Sequence, residues 1–239
     1  METEQDKNQG QPPVINMQVV EELSRQISKR RTIAKAFRIN LPVEEAYMWL
    51  TSCYKSEVEA RGLEYINDAN TRQAIFQLAK ALVAPNPKCG IMLCGTCGNG
   101  KTTLLYAFRT MINILNSSGH FKFLDFKVGM RIYDAKELVL MSSRLEEWRN
   151  VCGFDMIAID DLGKEPAEVM DYGNIRSPLV DLLEQRYQRQ KFTMITSNLA
   201  PDDIKAKYGE RIADRFREMF EIIVFVFDSY RGKSERRNP

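Results

Sequence analysis

Gly95-Thr96-Cys97-Gly98-Asn99-Gly100-Lys101-Thr102 decides how this chain is read. The stretch matches G-x-x-x-x-G-K-[ST] at every fixed position. Its glycines let the backbone curl until successive amide N–H groups point inward, a shape that suits nucleotide phosphates. The flanks supply the context the motif needs. Ile91 to Cys94 reads as a short buried strand, and Lys101 to Leu115 as a helix with Leu104, Leu105, Phe108, Ile112 and Leu115 in one stripe. The helix adds its positive N-terminal end. A chance loop before a helix would not carry this strand–loop–helix order. Lys101 is expected at the β- and γ-phosphates and Thr102 on Mg²⁺, with Gly95, Thr96, Cys97, Gly98, Asn99, Gly100 and Thr103 as further nucleotide contacts.

Downstream, Asp155-Met156-Ile157-Ala158-Ile159-Asp160-Asp161 is an apolar run closed by two acids. Alone, that is a common strand end. After a phosphate loop it gains meaning, because carboxylates at the carboxyl edge of a parallel sheet face the ligand. Asp160 is assigned to magnesium and Asp161 to the attacking water, since hydrolysis of the γ-phosphate depends on a positioned nucleophile. Thr196-Ser197-Asn198 ends the next apolar strand, Phe192 to Thr196. Ser and Asn also favour simple turns, whereas the functional reading brings Asn198 to the γ-phosphate or the water. In Gly209-Glu210-Arg211-Ile212-Ala213-Asp214-Arg215-Phe216, Arg211 and Arg215 lie one helical turn apart. They are either solvated and paired with Asp214 and Glu218, or offered to a neighbour's nucleotide.

The remaining chain alternates apolar runs with helical stripes, the pattern of a parallel sheet covered by helices. Phe121 to Phe126, Met130 to Tyr133 and Ile222 to Phe227 read as strands. Asp134 caps a helix running towards Trp148, and Ile175 to Tyr187 and Glu210 to Phe220 are further helices. Before the loop, Val19, Val20, Leu23 and Ile27 repeat at helical spacing. A second helix starts at Pro42, and a third follows Asn70 as its cap. Pro85-Asn86-Pro87 is a breaker and marks an expected boundary between residues 1–84 and 85–239. Met1 to Pro13 is polar and expected to be disordered.

Composition narrows the class. The 239 residues are 44% hydrophobic and 28% charged, ordinary for a globular protein. No apolar run is long enough to span a bilayer, and the acidic start lacks a targeting pattern. A disulfide between Cys94 and Cys97 would deform the loop, so a reduced cytoplasm is expected. Their C-x-x-C spacing suits a metal. With Cys97 inside the loop, only Cys89 nearby, and His120 the one histidine, zinc is rejected. The net charge of +2 does not identify a nucleic-acid binder. Two basic clusters, Lys29-Arg30-Arg31 and Arg231, Lys233, Arg236 and Arg237, read either as solvated surface or as contacts to a phosphate backbone.

Together these motifs resemble an AAA+ ATPase of the DnaC-type helicase loaders and the related IstB-type transposition helpers. The loop resembles Walker A and Ile157 to Gly163 resembles Walker B. Ile195 to Leu199 looks like the sensor-1 strand end, and Tyr208 to Arg215 like the arginine-finger box. Phe227-Asp228-Ser229-Tyr230-Arg231 is similar to the loader C-terminus. The resemblance implies an α/β three-layer α/β/α core with a mainly parallel sheet, a small helical N-terminal region and no separate lid. It places the Asn198 strand between the strands of the loop and of Asp160. It also makes Arg215 the finger acting in trans, Arg211 its support and Arg231 a γ-phosphate sensor. Asp161 stands where many members carry glutamate.

The function implied is an ATP- and Mg²⁺-dependent DNA replication protein. It would self-associate through its ATP sites, bind single-stranded DNA, and load a replicative helicase hexamer held by the N-terminal helices. An IstB-like helper of a transposase on duplex DNA is the alternative. A small-molecule kinase would need an acceptor pocket with its own basic cluster, for which no residues are found. A nucleotide-bound structural switch without turnover is the remaining rival.

Overall fold

Ile91-Met92-Leu93-Cys94 is apolar at every position, so a strand built from it must be covered on both faces. The computed structural model describes residues 16–30, 36–117, 129–171, 173–226 and 229–230. The expected strand Phe121–Phe126, the N-terminal tail, Arg231 and the C-terminal basic cluster lie outside them. Helix α1 (Met17–Arg30) belongs to one compact unit, Met1–Ala34, and shows the expected helical repeat with Val19, Val20 and Leu23 exposed.

The second unit is Lys35–Pro239. In chain order it carries α2 (Val43–Glu59), α3 (Ala69–Val83), β1 (Gly90–Gly95), α4 (Lys101–Ser117) and β2 (Arg131–Asp134). There follow α5 (Ala135–Met141), α6 (Leu145–Gly153), β3 (Met156–Leu162), β4 (Val169–Asp171), β5 (Asn174–Arg176) and α7 (Pro178–Gln188). β6 (Phe192–Ser197), α8 (Pro201–Tyr208), α9 (Glu210–Met219) and β7 (Phe220–Phe225) complete it. Five strands pair in parallel in the order β2-β3-β6-β1-β7. The Asn198 strand thus runs between the loop strand and the Asp160 strand, as the resemblance implied.

Side-chain alternation divides the core in two. Ile91, Leu93, Ala158, Met194 and Ile223 face α2, α3 and α4, meeting Leu50, Leu78 and Phe108. Met92, Ile157, Ile159, Ile195 and Phe220 face the other layer, where Leu138, Leu182, Ile204 and Phe216 cover them. The result is the expected three-layer α/β/α core.

Several expected boundaries move. The division at Pro85 lies inside the second unit, because the apolar faces of α2 and α3 have nowhere to go but onto α4 and the sheet. The cap of α3 is Asp68, which accepts from the Thr71 amide at 2.7 Å, rather than Asn70. Ile175 is not helical. Gly173, at φ 83°, turns β4 into β5, and α7 begins only at Pro178, where a missing N–H costs nothing. The helix capped by Asp134 stops at Met141, with the Ser142 hydroxyl donating to Val139 O at 2.7 Å, and α6 restarts at Leu145.

Arg186 on α7 ties the layers together and has no exposed surface. It donates to Thr193 Oγ at 2.7 Å, Phe154 O at 2.8 Å, Asp155 O at 3.2 Å and Phe192 O at 2.6 Å. Burial brings its pKa down to about 10. These acceptors sit at the starts of β3 and β6, so one guanidinium fixes the near end of both. Arg186→Met leaves them without a donor, at roughly 1–3 kcal/mol for a buried orphan. Urea unfolding is expected to show a stability loss of about 3 kcal/mol or more.

Candidate active site

The two fixed glycines, Gly95 and Gly100, and the additional Gly98 bend the loop. Gly95, Gly98 and Gly100 have φ of 137°, 83° and 91°, values that a side chain resists. A Cβ on Gly95 would come within 2.2 Å of Phe225 O, and one on Gly100 within 2.4 Å of the Tyr54 hydroxyl. Asn99 fastens the loop to β7 by donating to Phe225 O at 3.2 Å. The Lys101 ammonium donates to Gly95 O at 2.8 Å, Thr96 O at 2.6 Å and Asn99 Oδ1 at 3.0 Å. Burial pulls its pKa below the ordinary lysine value, against the opposing effects of Cys97 and Asp161. Three oxygen acceptors thus hold the ammonium at the loop.

The acidic pair sits at an irregularity in β3. The register with β6 shifts between Ile159 and Leu162, and Asp161 has φ 60°. Such a bulge re-aims side chains out of the ladder. Asp160 Oδ1 accepts from Thr102 Oγ at 3.0 Å and from the Thr196 hydroxyl, bringing the expected metal ligands together. Thr196 also accepts from the Asp161 amide at 2.9 Å, so one fully buried hydroxyl holds both acids. Asp161 pairs with Lys164 at 2.6 Å.

A cavity of about 280 Å³ joins these residues. Cys97, Gly98, Asn99, Gly100, Lys101, Thr102, Thr103, Asp161 and Asn198 line it, so the two strand ends and the loop converge. Sequence reasoning missed the far wall: Tyr54, Arg61, Tyr65 and Tyr230. Arg61 donates to Thr103 Oγ at 3.0 Å. The Tyr230 amide donates to Gly98 O at 2.9 Å, and its hydroxyl donates to Asp68 at 2.6 Å. Burial and Asp68 push that hydroxyl up to about 12. No local motif marks Tyr54, Arg61 or Tyr65, which reach the loop only through packing, and Tyr230 lies in the stretch Phe227 to Arg231, where the sequence assigns it no role of its own.

Arg211 and Arg215 stand apart from this cavity. Both pair with Glu184 of α7, at 3.1 Å and 2.5 Å, and Arg215 also lies over the Tyr187 ring. Four-fifths of the Arg215 side chain is covered, whereas Arg211 is exposed. The chain brings neither arginine to its own phosphate loop.

The donor set suits a magnesium nucleotide. A lysine and the N-terminus of α4 offer positive charge to phosphates. Thr102 and Asp160 could hold Mg²⁺. Among the described residues no group of three or more His, Cys, Asp or Glu could hold a metal ion without help.

The same fold occurs in solved structures. The DnaC helicase loader superposes with a TM-score of 0.51 at 22% identity, over 67% of this chain and 93% of that one. DnaI superposes with a TM-score of 0.51 at 22% identity, over 69% and 86%. This is the AAA+ fold. No family model matches the chain, and no curated protein matches it in sequence. Within the AAA+ fold, the strand order and the placing of both acids at one sheet edge follow from the topology. Among the described residues no helix is long and apolar enough to cross a membrane.

Gly100→Ala tests the loop. A side chain at φ 91° costs about 1–2 kcal/mol and collides with Tyr54. Titration with a fluorescent ATP analogue is expected to show affinity reduced roughly tenfold or more, with the melting temperature lowered by only a few degrees, about 2–4 °C per kcal/mol of strain.

Proposed function

We propose that this chain is an ATP-hydrolysing DNA replication protein that loads a replicative helicase hexamer onto single-stranded DNA. The observation that carries the reading is a divided site. Lys101, Thr102, Asp160, Asp161 and Asn198 converge on one edge of the sheet, while Arg215 lies away from it on α9. In this reading a second copy adds an arginine for the transition state to the lysines already at the site.

In this scheme the loop amides and Lys101 bind and orient the triphosphate. Thr102 and Asp160 would hold magnesium, which would supply charge neutralisation to the phosphates. Asp161 orients the water and accepts its proton once Lys164 is drawn off towards the phosphates, and Asn198 fixes the water's other side. Arg215 of a neighbouring copy completes the site, with Arg211 in support, so that assembly and turnover become one event. Arg231, two residues beyond Ser229, would report the γ-phosphate from the chain's own side. The surroundings of the thiols suit a reducing cytoplasm.

Helicase loading is supported by the shared fold with proteins described as a DnaC helicase loader and as DnaI. The residues ahead of Lys35 are the proposed helicase-contacting segment, since α2 and α3 are committed to the core and the cavity wall. The test is capture of the cognate helicase hexamer by the tagged full-length chain with ATP and magnesium. Capture that disappears on deleting residues 1–34 supports the assignment. A chain that turns over ATP but captures no helicase in any nucleotide state sinks it. Capture of a transposase on duplex DNA would establish the other client.

A further inference from the structure

Glu165 is a carboxylate with only 2% of its surface exposed, and it takes no part in the cavity. Burying such a group without partners is costly, and its partners show what it connects. One oxygen accepts from the Gly163 amide at 2.8 Å, in the turn directly after the acidic pair. The other accepts from the Tyr208 hydroxyl. Tyr208 is the last residue of α8; Gly209, at φ 89°, follows it and opens α9. Lys207 strengthens the joint by donating to Gly163 O at 2.8 Å and Glu165 O at 2.6 Å. The turn's other side carries Lys164, whose ammonium sits on Asp161 at 2.6 Å.

One short turn therefore touches the hydrolytic carboxylate with Lys164 and the base of the arginine helix with Glu165. Burial and the Glu165 contact push the Tyr208 hydroxyl pKa upward, so it remains a donor. From the α8–α9 joint, Arg211 and Arg215 follow within two helical turns.

We propose that Glu165, Lys207 and Tyr208 form a positioning link that sets the α8–α9 joint from the state of the chain's own phosphate site, and so presents Arg215 to the neighbouring copy. Movement of Lys164 off Asp161 shifts the Gly163–Glu165 turn, and the turn carries Tyr208 with it. A subunit holding ATP thereby tunes how well it activates the next site. The link rests on the shared-site reading proposed above.

Tyr208→Phe removes one hydroxyl and keeps the buried ring. Full-length Tyr208→Phe is expected to lose roughly tenfold in kcat with KM for ATP unchanged. Mixing then separates the two sides of the subunit. Lys101→Ala subunits keep their arginines, and adding them should restore turnover at Tyr208→Phe sites. Arg215→Ala subunits keep their phosphate site but lack the arginine, and Tyr208→Phe partners should fail to activate them. Equal rescue by both partners overturns the link, as does equal failure with a lowered melting temperature, which marks a general packing defect. Glu165→Gln, expected to follow the same pattern, repeats the test from the other end. In the control, Arg215→Ala mixed with Lys101→Ala should regain activity. No recovery there overturns the shared-site reading itself, and the link with it.

Discussion

Lys101→Ala abolishes ATP binding and turnover together, while the fold survives. The ammonium is held by Gly95 O, Thr96 O and Asn99 Oδ1, and no other lysine shares those contacts. Charge-assisted hydrogen bonds are worth about 1.5–3 kcal/mol each. Loss of the lysine's share in phosphate binding is expected to weaken nucleotide affinity at least roughly 100-fold. Lys101 and Asn99 are buried, so the orphaned acceptors should cost about 1–3 kcal/mol of stability without unfolding the domain. Fluorescent-nucleotide titration measures the first effect and circular dichroism melting the second. Micromolar ATP binding by the variant would refute the role given to the loop.

Arg215→Ala is the second large effect, and its signature is not loss of binding. With Arg215 outside the cavity and paired to Glu184, its removal should leave nucleotide affinity near wild type. Turnover should fall by roughly 10³-fold or more, the range for losing a trans-acting arginine. Wild-type specific activity should rise with protein concentration, and the variant's should stay flat. Arg211→Ala, removing the exposed member of the pair, should cost less. An Arg215→Ala enzyme with undiminished kcat would mean that each copy hydrolyses ATP alone.

Much of this arrangement was legible in the residues because the phosphate loop is written contiguously. Gly95, Gly98 and Gly100 are needed for backbone angles, and Lys101 and Thr102 for their end groups, so the spacing carries the geometry. The acidic pair was readable for the same reason, as the end of an all-apolar strand. What escaped notice depends on long-range packing. Thr196 read as part of a strand end, yet its hydroxyl organises both acids across the gap between β3 and β6. Tyr54 comes from α2, a helix whose stripe reveals burial but not what lies opposite, and Arg61 from the turn that follows it. Nothing local marks Glu165, and only the approach of Tyr208 makes it a buried acceptor. The end of β5 falls within the stretch read as helix because Ile175 fits the stripe that truly starts at Leu179. The helix α8 was overlooked although Pro201-Asp202-Asp203 is a good opening, its few apolar residues giving no stripe.

The phosphate loop leans on the far end of the polypeptide: Asn99 binds Phe225 O, Gly95 packs against the same carbonyl, and Gly98 O receives the Tyr230 amide. A nascent chain leaving the ribosome carries the whole nucleotide motif long before its final strand exists. Competence to capture ATP must therefore arrive late in synthesis, once β7 has docked beside β1. Prematurely ended products should neither sequester nucleotide nor poison an assembly with half-built sites, and ribosome-stalled chains lacking residues 220–239 should bind no ATP analogue.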